Sequence, residues 1–89
     1  MTAWRLEVAA SAERSLSRLS ESVAAAIVEF MLGPLLDDPA RVGKPLQREL
    51  TGYWSARRGA YRVIYRLKND DELVTVVRIE HRSDAYRSR

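Results

Sequence analysis

Two strand-like segments joined by a polar turn lie in the last third of this sequence, and they constrain the fold more than any other feature. In the first, Tyr61–Leu67, apolar or aromatic side chains alternate with arginines. The second, Leu73–Glu80, is rich in β-branched residues, which favour strands. Asn69–Glu72 between them has the composition of a hairpin turn, so the two segments are predicted to pair antiparallel. One face of the first segment should carry Tyr61, Val63, Tyr65 and Leu67, and the other Arg62, Ile64 and Arg66.

The N-terminal half predicts one strand and two helices. Residues 3–9 alternate apolar and charged side chains, which is typical of a half-buried strand. Ser11 is a candidate N-cap for a short helix, and Ser20 for a second one. Pro34 should kink or restart the second helix. The second helix carries an apolar stripe that can cover one face of a sheet, formed by Val23, Ile27, Phe30 and Met31.

The remaining segments complete an α+β domain. Arg41–Glu49 is a basic connector that Leu46 and Leu50 are expected to anchor to the core. Tyr53–Arg58 is predicted to be a further strand, and residues 82–89 form a short C-terminal tail. The predicted order is β-α-α-β-β-β, a single domain of all 89 residues with a mainly antiparallel sheet and two helices packed on one face.

Composition excludes several kinds of site. The chain has no cysteine and one histidine, which excludes disulfides and thiolate metal sites and leaves little to hold a metal ion. Arg5 and Glu7 fall where a signal peptide needs an apolar core. The longest apolar stretch, residues 23–36, is interrupted and too short to span a bilayer. We therefore expect a cytoplasmic protein with no cofactor, no metal and no membrane contact.

Positive charge is concentrated in the C-terminal half. Residues 1–40 contain three arginines and six acids, a net charge of −3, whereas residues 41–89 contain twelve basic and six acidic residues, a net charge of +6. Arginines and tyrosines are interleaved there, and cations with aromatic faces are suited to holding an RNA strand. His81 adds a group that can transfer protons. The alternative is that the cations only keep an exposed sheet soluble.

Short motifs in a fixed order connect the chain with a known family. They are Gly43-Lys44-Pro45-Leu46, Leu50-x-Gly52, Ser55-Ala56-Arg57-Arg58-Gly59-x-Tyr61-Arg62-Val63-Ile64-Tyr65 and His81-Arg82-x-x-x-Tyr86-Arg87. With the predicted order of elements, their spacing resembles the RelE toxins of bacterial toxin–antitoxin pairs, within the RelE/ParE superfamily, over nearly the whole chain. Members of the RelE group bind in the ribosomal A site and cut mRNA there without a metal. The ribose 2′-OH attacks the adjacent phosphate and the 5′-oxygen leaves.

The resemblance implies a catalytic set of three residues. Arg62 matches the strand arginine that stabilises the phosphate, a task that suits a permanently charged, forked guanidinium. His81 is a candidate acid or base because histidine titrates near neutral pH. Tyr86 matches the C-terminal tyrosine that stacks on a base and orients the attacking hydroxyl. The three side chains are expected to lie close together. The structural alternatives are a solvent-facing arginine, an exposed histidine and an aromatic anchor for the tail.

One departure from the family pattern concerns proton transfer. The best-known members carry lysines on the strand before the arginine strand, and in register those positions are Tyr53 and Ser55. Arginines nearby can supply positive charge but are poor bases, because they hardly deprotonate. Catalysis is therefore predicted to depend more on His81. The cations expected to bind RNA, through salt-dependent contacts, are Arg41, Lys44, Arg48, Arg57, Arg58 and Arg82.

The resemblance also implies partners and leaves two other functions open. The partners are a cognate antitoxin, the ribosomal A site and mRNA, with operator DNA reached only through the antitoxin complex. A ParE-type toxin would keep the fold, lack the catalytic set and inhibit DNA gyrase. A third alternative is a module that binds RNA without cutting it.

Overall fold

Five strands and three α-helices succeed one another within residues 4–81, the part of the chain that this computed structural model describes. The strands are β1 (Arg5–Val8), β2 (Lys44–Pro45), β3 (Tyr53–Arg58), β4 (Tyr61–Lys68) and β5 (Leu73–His81), and the helices are α1 (Ala10–Ser17), α2 (Glu21–Phe30) and α3 (Pro39–Val42). A π-helical turn containing Pro34, Met31–Leu35, continues α2. The α+β class is confirmed, and the structure adds β2 and α3 to the predicted elements. The predicted tail, residues 82–89, lies outside the described residues.

The strands form one sheet in the order β1-β5-β4-β3-β2. β4 pairs antiparallel with both β3 and β5, which confirms the predicted hairpin. β1 pairs parallel with β5, and a parallel pair needs a crossover connection, which begins with α1 and α2. The tight connection between β3 and β4 places Gly59 at φ 62°, a conformation that glycine adopts without a steric penalty.

An extra residue in β5 reverses the direction of its side chains part-way along the strand. The register shifts between Ile64 and Tyr65, which pair with Arg78 and Val76, so Val77 has no partner on β4. A bulge of this kind moves every following side chain to the opposite face. In β5, even-numbered side chains therefore face the core before the bulge, and odd-numbered ones do so after it.

The sheet has two faces of different composition. The covered face packs against α2 and carries Trp54, Ala56, Tyr61, Val63, Tyr65, Leu67, Val74, Val76, Ile79 and His81. The open face carries Lys44, Tyr53, Ser55, Arg57, Arg62, Ile64, Arg66, Arg78 and Glu80. The predicted division of β4 into an aromatic and aliphatic face and an arginine-bearing face is confirmed.

The core lies between α2, its π-helical continuation and the covered face. Ile27, Met31 and Leu35 are buried in one cluster with Val63 and Tyr65. Burying a side chain of this size stabilises a fold by about 1.5–3 kcal/mol. The predicted apolar stripe of the second helix is therefore confirmed.

A buried hydrogen bond ties the segment after α2 to the sheet. The Tyr65 hydroxyl donates to the Pro39 carbonyl oxygen at 2.6 Å, and the side chain is fully buried. Burial raises the pKa of Tyr65 to about 12, so the hydroxyl stays protonated as a donor. A Cβ at position 43 would collide with this hydroxyl, which explains the glycine at Gly43.

The two predicted helix caps have different outcomes. The Ser20 side chain accepts from the Val23 N–H, so the cap of α2 is confirmed. The cap predicted at Ser11 is wrong, because α1 begins at Ala10 and its N-cap is Ala9. The Ser11 hydroxyl instead donates to the carbonyl oxygen of Val77, the bulge residue of β5.

The connector between α3 and β3 is less buried than expected. Leu46 is half-buried, and its N–H donates to the Tyr53 carbonyl at 2.8 Å. Leu50 is 51% exposed, so its predicted role as a core anchor is wrong. It ends a 3₁₀ turn, Arg48–Leu50, that directs it away from the core cluster.

Candidate active site

A three-residue charge network lies on the open face. Arg62 Nη2 donates to Glu80 Oε1 at 3.4 Å, and Arg78 Nε lies 3.1 Å from Glu80 Oε2. Arg62 and Glu80 are directly opposed on β4 and β5, which brings their side chains together. Their side chains are 34% and 19% exposed. Glu80 is thus held between two guanidinium groups, one at each carboxylate oxygen.

Arg62 has hydrogen-bond donors that this network does not use. A guanidinium carries five N–H groups in a fixed fork. The Nε–H of Arg62 is buried and has no hydrogen-bond partner among residues 4–81. A buried donor without a partner costs about 1–3 kcal/mol and calls for an explanation, of which a functional role is one. Because 34% of its side chain is exposed, Arg62 can present its other N–H groups to an anionic ligand.

A cleft of about 540 Å³ opens beside Arg62. Among the residues that the structure describes, three cations and no carboxylate line it, so the cleft attracts anions. The cations differ in geometry, because the two arginines can bind phosphate oxygens in a fork whereas lysine acts as a point charge. The lining consists of Val42, Lys44, Pro45, Leu46, Ser55, Arg57 and Arg62.

A second depression of about 450 Å³ lies around Tyr53 and Ile64. Arg66 stands over the Tyr53 ring, with 5.8 Å from its guanidinium carbon to the ring centroid. Arg78 lines this depression and contacts Glu80, so it connects the depression with the charge network. An aromatic and apolar patch next to a cationic cleft is the combination with which proteins bind single-stranded nucleic acids.

Known proteins resemble this chain in sequence and in fold. The family model of the ParE toxin of the type II toxin–antitoxin system, parDE, matches residues 6–86. The chain is 49% identical over 77 residues to Toxin RelG and 48% identical over 84 residues to Toxin RelE, both of Mycobacterium tuberculosis. These matches cover 86% and 94% of this chain, and 88% and 87% of those proteins. The chain belongs to the RelE/ParE superfamily of type II toxins. The crystal structure of the toxin–antitoxin complex RelBE2 from the same organism matches with a TM-score of 0.86 and 44% identity, over 89% of this toxin and 98% of that chain.

The toxin's strand register separates Arg62 from His81. His81 pairs with Tyr61, and their rings meet edge-on with 5.0 Å between centroids. Tyr61 packs on the core, so His81 belongs to the covered face, whereas Arg62 projects from the open face. The expected closeness of Arg62 and His81 is therefore not found, and a catalytic role for His81 stays a prediction. Tyr86 and Arg82 lie outside the described residues.

The other cations predicted to bind RNA are spread over the toxin. Lys44 and Arg57 line the cleft beside Arg62. Arg41 and Arg48 are exposed on α3 and on the 3₁₀ turn after β2, and Arg58 is exposed at the end of β3. The cleft thus brings together two of the predicted RNA-binding cations with the predicted phosphate-binding arginine.

Glu80 is a candidate functional residue that the sequence pattern does not predict. Strict alternation along β5 would place it on the same face as Val74 and Val76, which are buried in the core. The bulge at Val77 moves it to the open face, opposite Arg62. The opposite charges of Arg62 and Glu80 are the available sequence signal, and they become informative once the register is known.

Within residues 4–81, no three His, Asp or Glu side chains are grouped so that they could hold a metal ion. In the same part of the toxin, every helix is too short or too polar to cross a bilayer.

Proposed function

We propose that the toxin is a ribosome-dependent endonuclease that cuts mRNA in the A site and thereby inhibits translation. The observation that carries this proposal is Arg62 beside a cationic cleft on the open face. The near 50% identity to relatives named Toxin RelG and Toxin RelE supports the RelE type of activity.

In the proposed reaction the ribose 2′-OH attacks the adjacent phosphate without a metal, and the 5′-oxygen leaves. Negative charge accumulates on the phosphate oxygens in the transition state, and fixed cations in a partly dry site stabilise it. Arg62 supplies this charge directly, and Lys44 and Arg57 hold the neighbouring phosphates in the cleft. The roles of His81 in proton transfer and of Tyr86 in substrate orientation rest on the family resemblance and stay predictions.

A cognate antitoxin is the proposed partner that controls this activity. The solved relative RelBE2 is a toxin–antitoxin complex. An antitoxin segment lying on the open face would occupy the cations that RNA needs, which suffices for inhibition. Operator DNA would then be contacted only indirectly, through the antitoxin. Action on the ribosome would place the toxin in the cytoplasm.

The proposal is tested by adding the purified toxin to translating ribosomes and mapping mRNA 5′ ends. We expect cuts in phase with codons, located within the A site, that disappear in Arg62→Ala. Naked mRNA serves as the control and should stay intact, because the ribosome positions the substrate. Intact mRNA on ribosomes at saturating toxin would refute the proposal.

A ParE-type inhibitor of DNA gyrase is the second candidate. Two observations favour it: the matching family model is that of ParE toxins, and Tyr53 and Ser55 occupy the positions of the expected lysines. A supercoiling assay run beside the mRNA assay separates the two functions. Inhibited supercoiling with uncut mRNA would establish the second candidate.

A further inference from the structure

Cleavage through the 2′-OH needs a group that accepts its proton, and the open face offers few. Tyr53 and Ser55 carry neutral hydroxyls, and arginine hardly deprotonates. His81 belongs to the covered face. Among the described residues, Glu80 is the carboxylate in contact with Arg62.

The position of Glu80 suits a base. Both carboxylate oxygens are engaged, Oε1 by Arg62 and Oε2 by Arg78, so the side chain is fixed in one orientation. Each oxygen has two lone pairs, so each can accept a further proton donor. A general base must lie within hydrogen-bond reach of the proton that it removes. A phosphate bound by Arg62 brings the 2′-OH of the preceding ribose into the surroundings of Arg62, and Glu80 is the carboxylate that contacts Arg62 there.

We propose that Glu80 is the general base of the cleavage reaction and that Arg78 is its positioning residue, an assignment that rests on the proposed function. Glu80 takes the proton of the 2′-OH while the 2′-oxygen forms a bond to phosphorus. The bond between phosphorus and the 5′-oxygen breaks, and the 5′-oxygen leaves with the electron pair and takes a proton from water. The hydroxide that remains takes the proton from Glu80. The products are a 2′,3′-cyclic phosphate and a 5′-hydroxyl.

The ion pair between Arg62 and Glu80 links the proton transfer to the stabilisation of charge on the phosphate. Before the reaction, the Glu80 carboxylate offsets part of the charge of Arg62 at 3.4 Å. When Glu80 accepts the proton it becomes neutral, and the negative charge passes to the oxygens on phosphorus. The charge of Arg62 then acts on the transition state, where it is needed.

The test compares Glu80→Gln with Glu7→Gln in single-turnover cleavage of ribosome-bound mRNA. Glu7 is the matched control, because it lies on the same side of the sheet at the edge strand β1 and bonds to Thr75 instead of Arg62. At saturating toxin, Glu80→Gln should lower the cleavage rate about 10²–10⁴-fold, the usual contribution of a general base. Its affinity for the ribosome should be unchanged or higher, and Glu7→Gln should cleave like the wild type.

A pH profile separates a base from a residue that only orients Arg62. The charged groups that face Glu80 are Arg62 on β4 and Arg78 on β5, with Arg57 beyond Arg62 on β3. Hydroxide can replace a missing base, so the rate of Glu80→Gln should rise about tenfold per pH unit between about pH 6 and pH 9. Arg62→Ala should stay slow across this range, because hydroxide cannot replace a cation.

Three results would overturn the assignment. A saturating rate of Glu80→Gln equal to the wild type would exclude Glu80 as the base, while cleavage by the wild type would leave the proposed function standing. A slow Glu80→Gln that does not respond to pH would mean that Glu80 only positions Arg62. If the wild type itself leaves mRNA intact, the proposed function fails and this assignment fails with it. Thermal unfolding of each variant, with midpoints close to the wild type, verifies that folded toxins are compared.

Discussion

The two faces of β4 differ in their surroundings, because one is packed into the core and the other carries the candidate site. On the covered face, Val63 and Tyr65 are fully buried, and the hydroxyl of Tyr65 has a partner. On the open face, Arg62 contacts a carboxylate, has a buried donor without a partner among residues 4–81, and borders a cationic cleft. Consecutive residues thus lie in different surroundings, because side chains alternate across a strand. Substitutions on the covered face should therefore affect folding, and substitutions on the open face should affect function.

The strongest test of this comparison uses two neighbouring residues. Arg62→Ala should lower cleavage at saturation about 10²–10³-fold, as expected for losing a transition-state cation, and should leave stability nearly unchanged. Val63→Ala should lower the free energy of unfolding by about 2–3 kcal/mol, through lost burial and a cavity, and should cleave normally while folded. Single-turnover cleavage and denaturant unfolding measure the two quantities. If Arg62→Ala unfolds the toxin, or Val63→Ala abolishes cleavage by folded protein, the separation of the faces fails.

Sequence patterns predict the side chains of the covered face better than those of the open face. The alternation in Tyr61–Leu67 and the helical stripe ending at Met31 follow from burial alone, and both are confirmed. Burial also suggested that Leu50 anchors the connector, but a 3₁₀ turn directs this side chain outward. Hydrophobic periodicity reports which side chains have a reason to be buried, and it does not report where a connector turns.

The candidate site depends on a register that the sequence does not reveal. Arg62 was found through a family motif, and its phosphate-binding role stays a prediction. Its partner Glu80 reaches the open face because of the bulge at Val77. β-Bulges have no dependable local pattern in a β-branched strand, and a one-residue change in register moves every later side chain to the other face. The same bulge places His81 on the covered face against Tyr61, and not on the open face with Arg62.

A prediction of intermediate size concerns the buried hydrogen bond of Tyr65. Tyr65→Phe leaves the Pro39 carbonyl without its donor, so the free energy of unfolding at neutral pH should fall by about 1–3 kcal/mol. Cleavage by the folded variant should be normal, because the hydroxyl lies on the covered face. Unfolding in urea, followed with single-turnover cleavage on the same samples, measures both. Normal stability would mean that the carbonyl finds another donor.

The pH dependence of stability sharpens the same prediction. The pKa of Tyr65 is raised to about 12 in the folded toxin, above the value of about 10 for an unfolded chain, so the folded state holds this proton more tightly. This pKa difference contributes to the free energy of unfolding. The contribution is fully present below about pH 10 and is lost as pH rises towards about 12. In Tyr65→Phe, the free energy of unfolding should therefore fall less steeply with rising pH in this range than in the wild type. An alkaline profile identical to the wild type would exclude Tyr65 as its source.

The smallest expected effect belongs to Leu50, whose apolar side chain is on the exposed connector. Leu50→Ala should change the free energy of unfolding by no more than about 0.5 kcal/mol, because the side chain is already 51% exposed. Leu35→Ala is the matched control, since the same truncation at a fully buried site should cost about 2–5 kcal/mol. Urea unfolding of both variants gives the comparison. If the two truncations cost the same, Leu50 would be part of a second apolar core around Tyr53 and Ile64, and the open face could no longer be regarded as a surface free to serve function.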